Sequence, residues 1–213
     1  MLDFPGVSLT ITDEAYVLSS ATLLTTLAST VVGGGFQQTC TIINRYVQRN
    51  YSHADPANDL QHFAATHHLE KPLVGMMTGV QMKYAQTFTL RDDAITVASV
   101  ITAGVSNATA AGLSEPAPLL PGTINIALLI DADLTQAAMV NAVITATEAK
   151  TGVLAAHEVR TAEGYPATGT STDAIVIACT GRGDALPYAG PATRVGYLIA
   201  SSVRQCLEKI MLT

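Results

Sequence analysis

Apolar and polar residues alternate at the start of the chain, where the first strand is predicted. The apolar residues of 7–11 are separated by hydroxyl-bearing residues, which is the period of two expected of a half-buried strand. After two acidic residues, the apolar run 16–18 predicts a second strand that ends at Ser19 and Ser20. The chain therefore opens with two neighbouring strands.

Longer runs of small and β-prone residues predict further strands. These runs are 39–47, 83–90, 94–105, 122–130 and 174–179. The acidic pair Asp92-Asp93 separates two of them and predicts a tight turn, so 83–90 and 94–105 are expected to form a hairpin. The Pro-rich segment 115–121 predicts a loop.

Helical spacing predicts three helices. The first is 56–69, with Asp55 as its N-cap and a proline in its first turn. The second is capped by Asp133 in the manner of a capping box, and it carries no charge over its first turns. It is apolar nearly all round, which predicts burial on more than one side. The third helix is predicted to start at Gly190-Pro191.

The order of these elements, strands first and then strands mixed with helices, predicts a mixed α/β (α+β) fold. We expect a layered sandwich of a mixed sheet and helices. A length of 213 residues fits a single domain spanning 1–213. Hydrophobic residues make up 48% of the chain and charged residues only 13%, so much of it must be hidden in layers or in a subunit interface. A homo-oligomer is therefore predicted.

Composition also narrows the range of partners. A net charge of −6 and the lack of a basic stripe argue against nucleic acid. The long apolar runs are interrupted by Thr, Ser and Gly, so no membrane span is predicted. No basic segment precedes Asp3, as a secretory signal would require. Cys40, Cys179 and Cys206 show no CxxC spacing and are interpreted as buried thiols of a cytoplasmic protein.

Polar residues gather where predicted strands begin or end, in the segments 102–108, 122–126 and 167–173. The last segment packs four hydroxyls, a glycine and Asp173 directly before a buried strand. If the three segments converge, they form a pocket rich in hydrogen-bond donors and poor in charge. The other interpretation of 167–173 is a simple turn, because Ser, Thr, Asp and Gly all favour turns.

Two charged residues follow the uncharged part of the second helix. Glu148 is predicted on an apolar face and Lys150 on roughly the opposite side. A carboxylate on an apolar face is costly unless it is paired or functional, so Glu148 is a candidate for chemistry, with an ion pair to an arginine as the alternative. The spacing of His62, His67 and His68 does not give a zincin-type pair, and no protein-bound catalytic metal is predicted.

As a set, these segments resemble one known family, the adenosylcobinamide amidohydrolases of corrinoid salvage. The resemblance covers most of the chain and rests on Asn44 and on segments 17–21, 33–35, 75–78, 102–108, 122–126, 148–151, 167–174 and 188–191. Each segment alone is a weak signal, whereas the set in this order is specific. One departure is Ser171, where the TGTGTDA-like pattern of the family has a glycine.

The resemblance implies hydrolysis of the amide that joins aminopropanol to the corrin side chain of adenosylcobinamide, giving adenosylcobyric acid for cobalamin synthesis. The cobalt would belong to the corrinoid substrate, and no cofactor bound by the protein itself is expected. The candidate substrate-binding residues are Ser19, Ser20, Gly34, Asn44, Thr78, Ser106, Asn107 and Asn125. The alternatives are a non-catalytic corrinoid-binding or delivery module, and an amidohydrolase of another small amide.

Two mechanisms are open for this amide hydrolysis. In the first, Glu148 or Asp173 is the general base for a water molecule, and Lys150 or a hydroxyl is the acid. Asn107 or loop amides then hold the oxyanion. In the second, a threonine hydroxyl attacks directly, activated by Asp173 or Lys150. The candidate nucleophiles are Thr168, Thr170 and Thr172.

Overall fold

A computed structural model describes residues 2–48, 50–116 and 122–212 of the chain. The strands are, in chain order, β1 (Val7–Ile11), β2 (Ala15–Ala28), β3 (Gly35–Tyr46), β4 (Leu73–Thr78), β5 (Gln86–Asp92), β6 (Ile95–Ala103), β7 (Ala108–Thr109), β8 (Ile124–Ile130), β9 (Asp133–Leu134), β10 (Gly169–Thr170), β11 (Ala174–Cys179) and β12 (Ala185–Leu186). The helices are α1 (Pro56–Thr66), α2 (Gln136–Ala156) and α3 (Arg194–Met211), with a short 3-10 helix at Met82–Tyr84. Residues 117–121 of the predicted loop lie outside the described residues.

Eight strands of the described residues form one mixed sheet in the order β4-β3-β2-β11-β8-β6-β5, with β1 paired to β2. β3 is parallel to β4 and β8 is parallel to β11, whereas the other neighbours are antiparallel. The short pairs β7–β10 and β9–β12 lie outside this sheet. The architecture confirms the predicted α+β fold with a mixed sheet, and the hairpin predicted around Asp92-Asp93 is the antiparallel pair β5–β6.

The mixed sheet folds over on itself, so that its two halves pack face to face. On β8, every second residue from Ile124 to Ile130 packs against α2 and α3. Ala127 and Leu129 lie between them in sequence and join a different cluster, with Ile42 of β3 and Met76 of β4. Helix α1 covers the outer side of β3 and β4. The layers are therefore α2 with α3, one half of the sheet, the other half, and α1, as in the predicted layered sandwich.

Strand β2 is longer than predicted. It does not end at Ser20 but continues to Ala28, because Leu24 and Ala28 remain buried among the intervening hydroxyl-bearing residues. Its register with β3 shifts between Ser19 and Leu24. The serines and threonines in the middle of β2 interrupt the apolar pattern, so the sequence predicts the end of a strand where the structure has one continuous strand.

Helix α2 starts later than predicted, because a threonine rather than an aspartate caps it. Thr135 Oγ1 accepts the N–H of Ala138 at 3.1 Å. Asp133 belongs instead to the short strand β9, where it pairs with Ala185 of β12. The predicted cap at Asp133 is therefore wrong, since pairing with β12 fixes that residue in an extended conformation.

Helix α3 also starts later than the prediction at Gly190, and again a threonine caps it. Thr193 Oγ1 accepts the N–H of Gly196 at 3.0 Å. The N-cap predicted for α1 is confirmed, because Asp55 Oδ1 accepts the N–H of Asn58 at 3.0 Å. In each case the side-chain oxygen satisfies a backbone donor that the first turn of the helix leaves free.

Helix α2 is buried on one side only. Ala138 and Ala142 are fully buried, whereas Val140 and Ile144 are 47% and 49% exposed. The prediction of burial on more than one side is wrong for this outer face, which also carries the exposed Glu148. None of the helices within the described residues is long and apolar enough to cross a membrane. The homo-oligomer stays a prediction.

The cysteines are free thiols. Cys179 and Cys206 are buried, as interpreted from the sequence, whereas Cys40 is only partly buried. Burial raises the pKa of Cys179 to about 12 and that of Cys206 to about 11. Neither offers a thiolate nucleophile near neutral pH, so both act as small core residues.

Candidate active site

The three polar segments meet at the amino ends of β8 and β11. Asn107, in the loop after β6, donates through Nδ2 to the Gly122 carbonyl at 2.6 Å and to the Ser171 hydroxyl at 2.9 Å. One side chain thus ties together the loops that precede β8 and β11. The Gly122 carbonyl also lies within hydrogen-bond distance of the hydroxyls of Thr170 (3.3 Å) and Thr172 (3.1 Å).

Asp173 lies at the centre of this meeting point and is held by donors on both carboxylate oxygens. Its Oδ2 accepts from Nζ of Lys150, which reaches it from α2. Its Oδ1 accepts from the Thr170 hydroxyl at 2.5 Å, the Thr170 N–H at 3.2 Å and the Ile124 N–H at 3.0 Å. The side chains of Lys150 and Asp173 are only 8% and 14% exposed. Buried charges need this kind of hydrogen-bonded pairing.

Gly169 makes room for this charge pair. It lies in β10, opposite Thr109 of β7. A Cβ built at Gly169 would lie 2.7 Å from Nζ of Lys150 and closer still to Oδ2 of Asp173. Any side chain here would therefore push the ammonium group and the carboxylate out of place.

A cleft of about 340 Å³ opens at the same ends of β8 and β11, and Lys150, Thr170 and Asp173 are not among the residues that line it. One side of it carries the hydroxyl-bearing residues Thr78 at the end of β4, Thr123 before β8, and Thr172. The rest of the lining is mainly apolar and includes Met76, Tyr51 and His53. A neutral polar edge against an apolar wall suits a ligand that carries an amide on an alkyl chain.

Tyr51 is fixed to the cleft wall through its hydroxyl. The hydroxyl donates to Asp59 Oδ2 at 2.8 Å, and the same carboxylate oxygen pairs with Arg45 at 2.9 Å. Partial burial, together with the hydrogen bond to Asp59, raises the pKa of Tyr51 to about 12. The phenol is therefore neutral at physiological pH and serves as part of the wall.

Comparisons with known proteins give this arrangement a family. The family model for adenosylcobinamide amidohydrolase matches residues 7–213. The chain belongs to the adenosylcobinamide amidohydrolase family. The adenosylcobinamide amidohydrolase of Methanosarcina mazei is 35% identical over 184 residues, which cover 82% of this chain and 84% of the relative. That of Halobacterium salinarum is 34% identical over 140 residues, which cover 62% of this chain and 56% of the relative.

The fold has a counterpart among solved structures. The crystal structure of the PH0078 protein from Pyrococcus horikoshii superimposes with a TM-score of 0.50, covering 97% of this chain and 83% of that one. The two sequences are only 12% identical. At this identity the likeness concerns the fold alone, and the chemistry of this amidohydrolase must be argued from its own site.

Two of the predicted catalytic residues of this amidohydrolase lie outside the Asp173 cluster. Thr168 braces a neighbouring loop, since its hydroxyl accepts the N–H of Ala111 at 2.9 Å. Glu148 is exposed on the outer face of α2, whereas Lys150, two residues further on, points inward to Asp173. Glu148 and Lys150 therefore point to different sides of α2, which agrees with the prediction that they cannot pair within the helix. Lys150, Thr170, Thr172 and Asp173 are the predicted catalytic residues that the fold brings together.

The predicted substrate-binding residues near the site take three different places. Thr78 lines the cleft. Ser106 is exposed next to Gly122, and Asn107 braces the loops through both hydrogens of its amide nitrogen. Asn44 and Asn125 are fully buried beneath the cleft and bond to each other at 2.8 Å. Neither asparagine is exposed to a ligand.

The remaining predicted substrate-binding residues lie elsewhere. Ser19 and Ser20 line a different cleft, of about 730 Å³, together with His68 and Glu70. Gly34 lies in the exposed connection between β2 and β3. In the part of the chain that the structure describes, no three side chains of His, Cys, Asp or Glu are grouped closely enough to hold a metal ion.

Sequence reasoning misses several residues of the site, among them Thr123 and Tyr51. A signal for Thr123 exists, because it lies two residues before Asn125 and therefore shares a face with it along an extended chain. Ser29 also lines the cleft, and its hydroxyl accepts the N–H of Ile175 at 3.1 Å. Tyr51 and Ser29 reach the cleft only because the fold brings distant segments together, and no local sequence pattern predicts this.

Proposed function

We propose that this chain hydrolyses the amide between aminopropanol and the corrin side chain of adenosylcobinamide. The products would be free aminopropanol and adenosylcobyric acid, and the acid would return to cobalamin synthesis in cobinamide salvage. The family match over 7–213 and the name of the Methanosarcina mazei relative support this substrate. The observation that carries the reaction is the hydrogen-bonded set of Thr170, Asp173 and Lys150, which is linked through the Gly122 carbonyl to Thr172 at the edge of the cleft.

Thr170 is the proposed nucleophile, because its hydroxyl already donates to Oδ1 of Asp173 at 2.5 Å. As Oγ1 of Thr170 attacks the amide carbon, the hydroxyl proton passes to Asp173. Asp173 then gives this proton to the amide nitrogen, the C–N bond breaks, and aminopropanol leaves as the free amine. A water molecule, deprotonated by the same carboxylate, then cleaves the ester on Thr170, which releases the acid and restores the hydroxyl.

Lys150 holds Asp173 in place through both steps. Its Nζ donates a hydrogen bond to Oδ2 of Asp173, so Oδ1 faces the Thr170 hydroxyl. The N–H groups of Thr170 and Ile124 fix the same oxygen from the backbone. A carboxylate that is already oriented before the substrate arrives need not reorganise during the reaction, which lowers the barrier.

The size of the cleft indicates which part of the substrate enters it. A volume of about 340 Å³ suits the side chain that carries the aminopropanol amide, while the much larger corrin ring remains outside. The ring of Tyr51 and the side chain of Met76 suit the methylene groups of such an arm. The hydroxyls of Thr78 and Thr172 suit its amide, which is polar but uncharged.

A water molecule activated by Asp173 is the other route to the same products. In that route no bond to Thr170 forms, and the threonine hydroxyl only orients the carboxylate. The short hydrogen bond between Thr170 and Asp173 favours direct attack, because a hydroxyl bonded to a base is activated as a nucleophile.

The test is mass analysis of the products after incubation of the purified protein with adenosylcobinamide. We expect adenosylcobyric acid and aminopropanol from the wild type and a severe loss of both from Asp173→Asn. Asp131→Asn is the matched control, since Asp131 is 13% exposed in an ion pair with Arg182 at the other end of β8. Binding without cleavage by the wild type would overturn the proposed activity in favour of a corrinoid-binding module. Equal losses in the two variants would overturn the assignment of the site to Asp173.

A further inference from the structure

A buried chain of hydrogen bonds leads from the core of the folded sheet to the edge of the cleft, and we infer that the cleft end of this chain positions the catalytic loop. We call this chain the amide ladder, and its members are Thr102, Asn44, Asn125 and Thr123. Thr123, at the cleft end, is the positioning residue, and it acts through the main chain of Thr172. The kinetic part of the inference rests on the proposed function, whereas the structural part does not.

The inner part of the amide ladder joins the two halves of the folded sheet. Thr102 of β6 and Asn125 of β8 are cross-strand neighbours in one half. Asn44 of β3 lies in the other half, where its Nδ2 donates to Thr102 Oγ1 at 2.9 Å and its Oδ1 accepts from Asn125 Nδ2 at 2.8 Å. Asn125 Nδ2 also donates to the Met77 carbonyl of β4 at 2.9 Å. All three side chains are 0% exposed, so they act from beneath the cleft rather than on a ligand.

The outer part of the amide ladder ends on the loop that carries Asp173. The Thr123 hydroxyl donates towards the Thr172 carbonyl oxygen at 2.7 Å and lies 3.0 Å from Asn125 Oδ1. Thr172 directly precedes Asp173 in the chain. Ile124, which follows Thr123, donates its N–H to Asp173 Oδ1 at 3.0 Å. Thr123 therefore fixes the main chain just before the carboxylate and helps to place a donor to it.

Stability alone does not account for so many buried polar side chains. Apolar side chains of similar shape can stabilise a core about as well as a buried hydrogen-bonded pair. Hydrogen bonds in a dry interior are directional and strong, so they fix distances between the elements that they join. A displacement of about 1 Å at a reacting group can lower a rate by about a hundredfold. The cleft end of the amide ladder, at Thr123, thus sets the spacing between β8 and the loop with Asp173, whereas its inner end joins the two halves of the sheet.

Two isosteric substitutions separate positioning from ordinary core stability. Thr123→Val and Thr102→Val each remove one buried hydroxyl from opposite ends of the amide ladder, and the two threonines are 2% and 0% exposed. We expect Thr123→Val to lower kcat by about 10- to 100-fold with KM changed by less than about threefold, because alignment and not binding is lost. We expect Thr102→Val to keep kcat within about threefold, and Thr123→Ser to recover most of the lost kcat.

Hydrogen exchange supplies a second measurement that needs no substrate. The backbone N–H groups of Thr170 and Ile124 both donate to Asp173. We expect their hydrogen-exchange rates to rise in Thr123→Val and to stay at the wild-type values in Thr102→Val. Equal melting temperatures, kcat values and exchange rates in the two valine variants would overturn the inference. If either valine variant fails to fold, Thr123→Ala against Thr102→Ala gives the same comparison. If the wild type does not cleave adenosylcobinamide, the proposed function fails, and the exchange rates alone decide the inference.

Discussion

The two ends of β8 and β11 each hold a mostly buried aspartate, and the two carboxylates are held differently. At the amino ends, Asp173 is 14% exposed and pairs with Lys150, which is itself only 8% exposed. At the carboxyl ends, Asp131 is 13% exposed and pairs with Arg182, whose side chain is 53% exposed. A hydroxyl contacts each carboxylate, from Thr170 at 2.5 Å and from Thr180 at 2.8 Å. Both ends also border a cleft, of about 340 Å³ and 350 Å³.

The difference therefore lies in the cation and in the backbone around the carboxylate. An exposed arginine exchanges easily with water and fixes its partner weakly. A buried lysine cannot leave without stranding a charge, so Lys150 holds Asp173 in one geometry. Backbone N–H groups of Thr170 and Ile124 hold the same carboxylate. A burial fraction, a hydroxyl or a cleft is common to both ends, whereas a carboxylate fixed by a buried cation and by backbone donors distinguishes the end proposed as the reactive centre.

The largest effect is expected when the carboxylate charge is removed from Asp173, and the matched removal at Asp131 is its control. Asp173→Asn should lower kcat/KM for adenosylcobinamide by about a thousandfold, because it removes the proposed base. Asp131→Asn should stay within about threefold of the wild type, because no proposed step uses Asp131. Steady-state kinetics on the two purified variants measures the contrast, and a comparable loss in both would abolish the distinction between the two ends.

The next effect concerns stability and the buried cation. Lys150→Met should lower the free energy of unfolding by about 3–5 kcal/mol, because it leaves the Asp173 carboxylate buried without its partner. Arg182→Met should lower it by at most about 1 kcal/mol, since the Arg182 side chain is half exposed and water can replace it at the Asp131 carboxylate. Urea unfolding of both variants at neutral pH tests this, and equal destabilisation would show that the two pairs are held alike.

A smaller effect is expected from crowding the charge pair without changing its charge. Gly169→Ala should lower kcat by about a hundredfold, because the added Cβ meets Lys150 and Asp173. Gly190→Ala is the control, since a Cβ at Gly190 meets no other atom within 4 Å. Turnover and melting temperature are measured together for both variants. Full activity in Gly169→Ala would mean that the spacing of the pair is not critical.

The smallest effect is expected at the residue where this chain departs from the family pattern. Ser171→Gly removes the acceptor of one hydrogen bond from Asn107 at 2.9 Å and leaves the bond to the Gly122 carbonyl. We expect kcat to change by about two- to fivefold, since the loop keeps its other braces. Thr180→Val, which removes the hydroxyl beside Asp131, should leave turnover unchanged. A loss beyond about a hundredfold in Ser171→Gly would make Ser171 part of the reaction itself.

The convergence of the site could be predicted because its signal is local. Each of the segments 102–108, 122–126 and 167–173 has small polar residues next to a strand, and the fold brings these segments together through Asn107 and the Gly122 carbonyl. The same pattern singles out Asp173 as a candidate, since a buried strand does not need a carboxylate at its end, and the structure places Asp173 at the centre of the cluster. The sequence thus indicated the place of the cluster and most of its members.

The side of α2 that packs against the sheet could not be predicted, because the helix has almost no polar side. Val140 and Ile144 on the outer face are as apolar as the buried positions, so the pattern does not show which face meets the sheet. From the sequence, Glu148 is therefore a candidate base with Asp173 as the alternative, although on α2 only Lys150 lies inward. The contact between Lys150 and Asp173, across 23 residues of sequence, places these two residues and not Glu148 in one cluster.

The burial of Asn44 and Asn125 could not be predicted either. It depends on the folding of the sheet over itself, which brings β3 and β8 face to face although they are not neighbours in the sheet. Ser19 and Ser20 show the reverse case, since they belong to the segments that carry the family resemblance yet line a separate cleft. Membership of a shared segment does not by itself bring a side chain into the Asp173 cluster.

Rapid acid quenching during turnover, followed by peptide mass analysis, tests the central claim most directly. Trypsin cleavage after Arg160 and Arg182 releases the peptide 161–182, which contains every threonine of the candidate set. We predict a transient increase by the mass of the corrinoid acyl group, located on Thr170 by fragmentation and absent from Asp173→Asn. Full turnover without any adduct on this peptide, or an adduct on another residue, would contradict direct attack by Thr170.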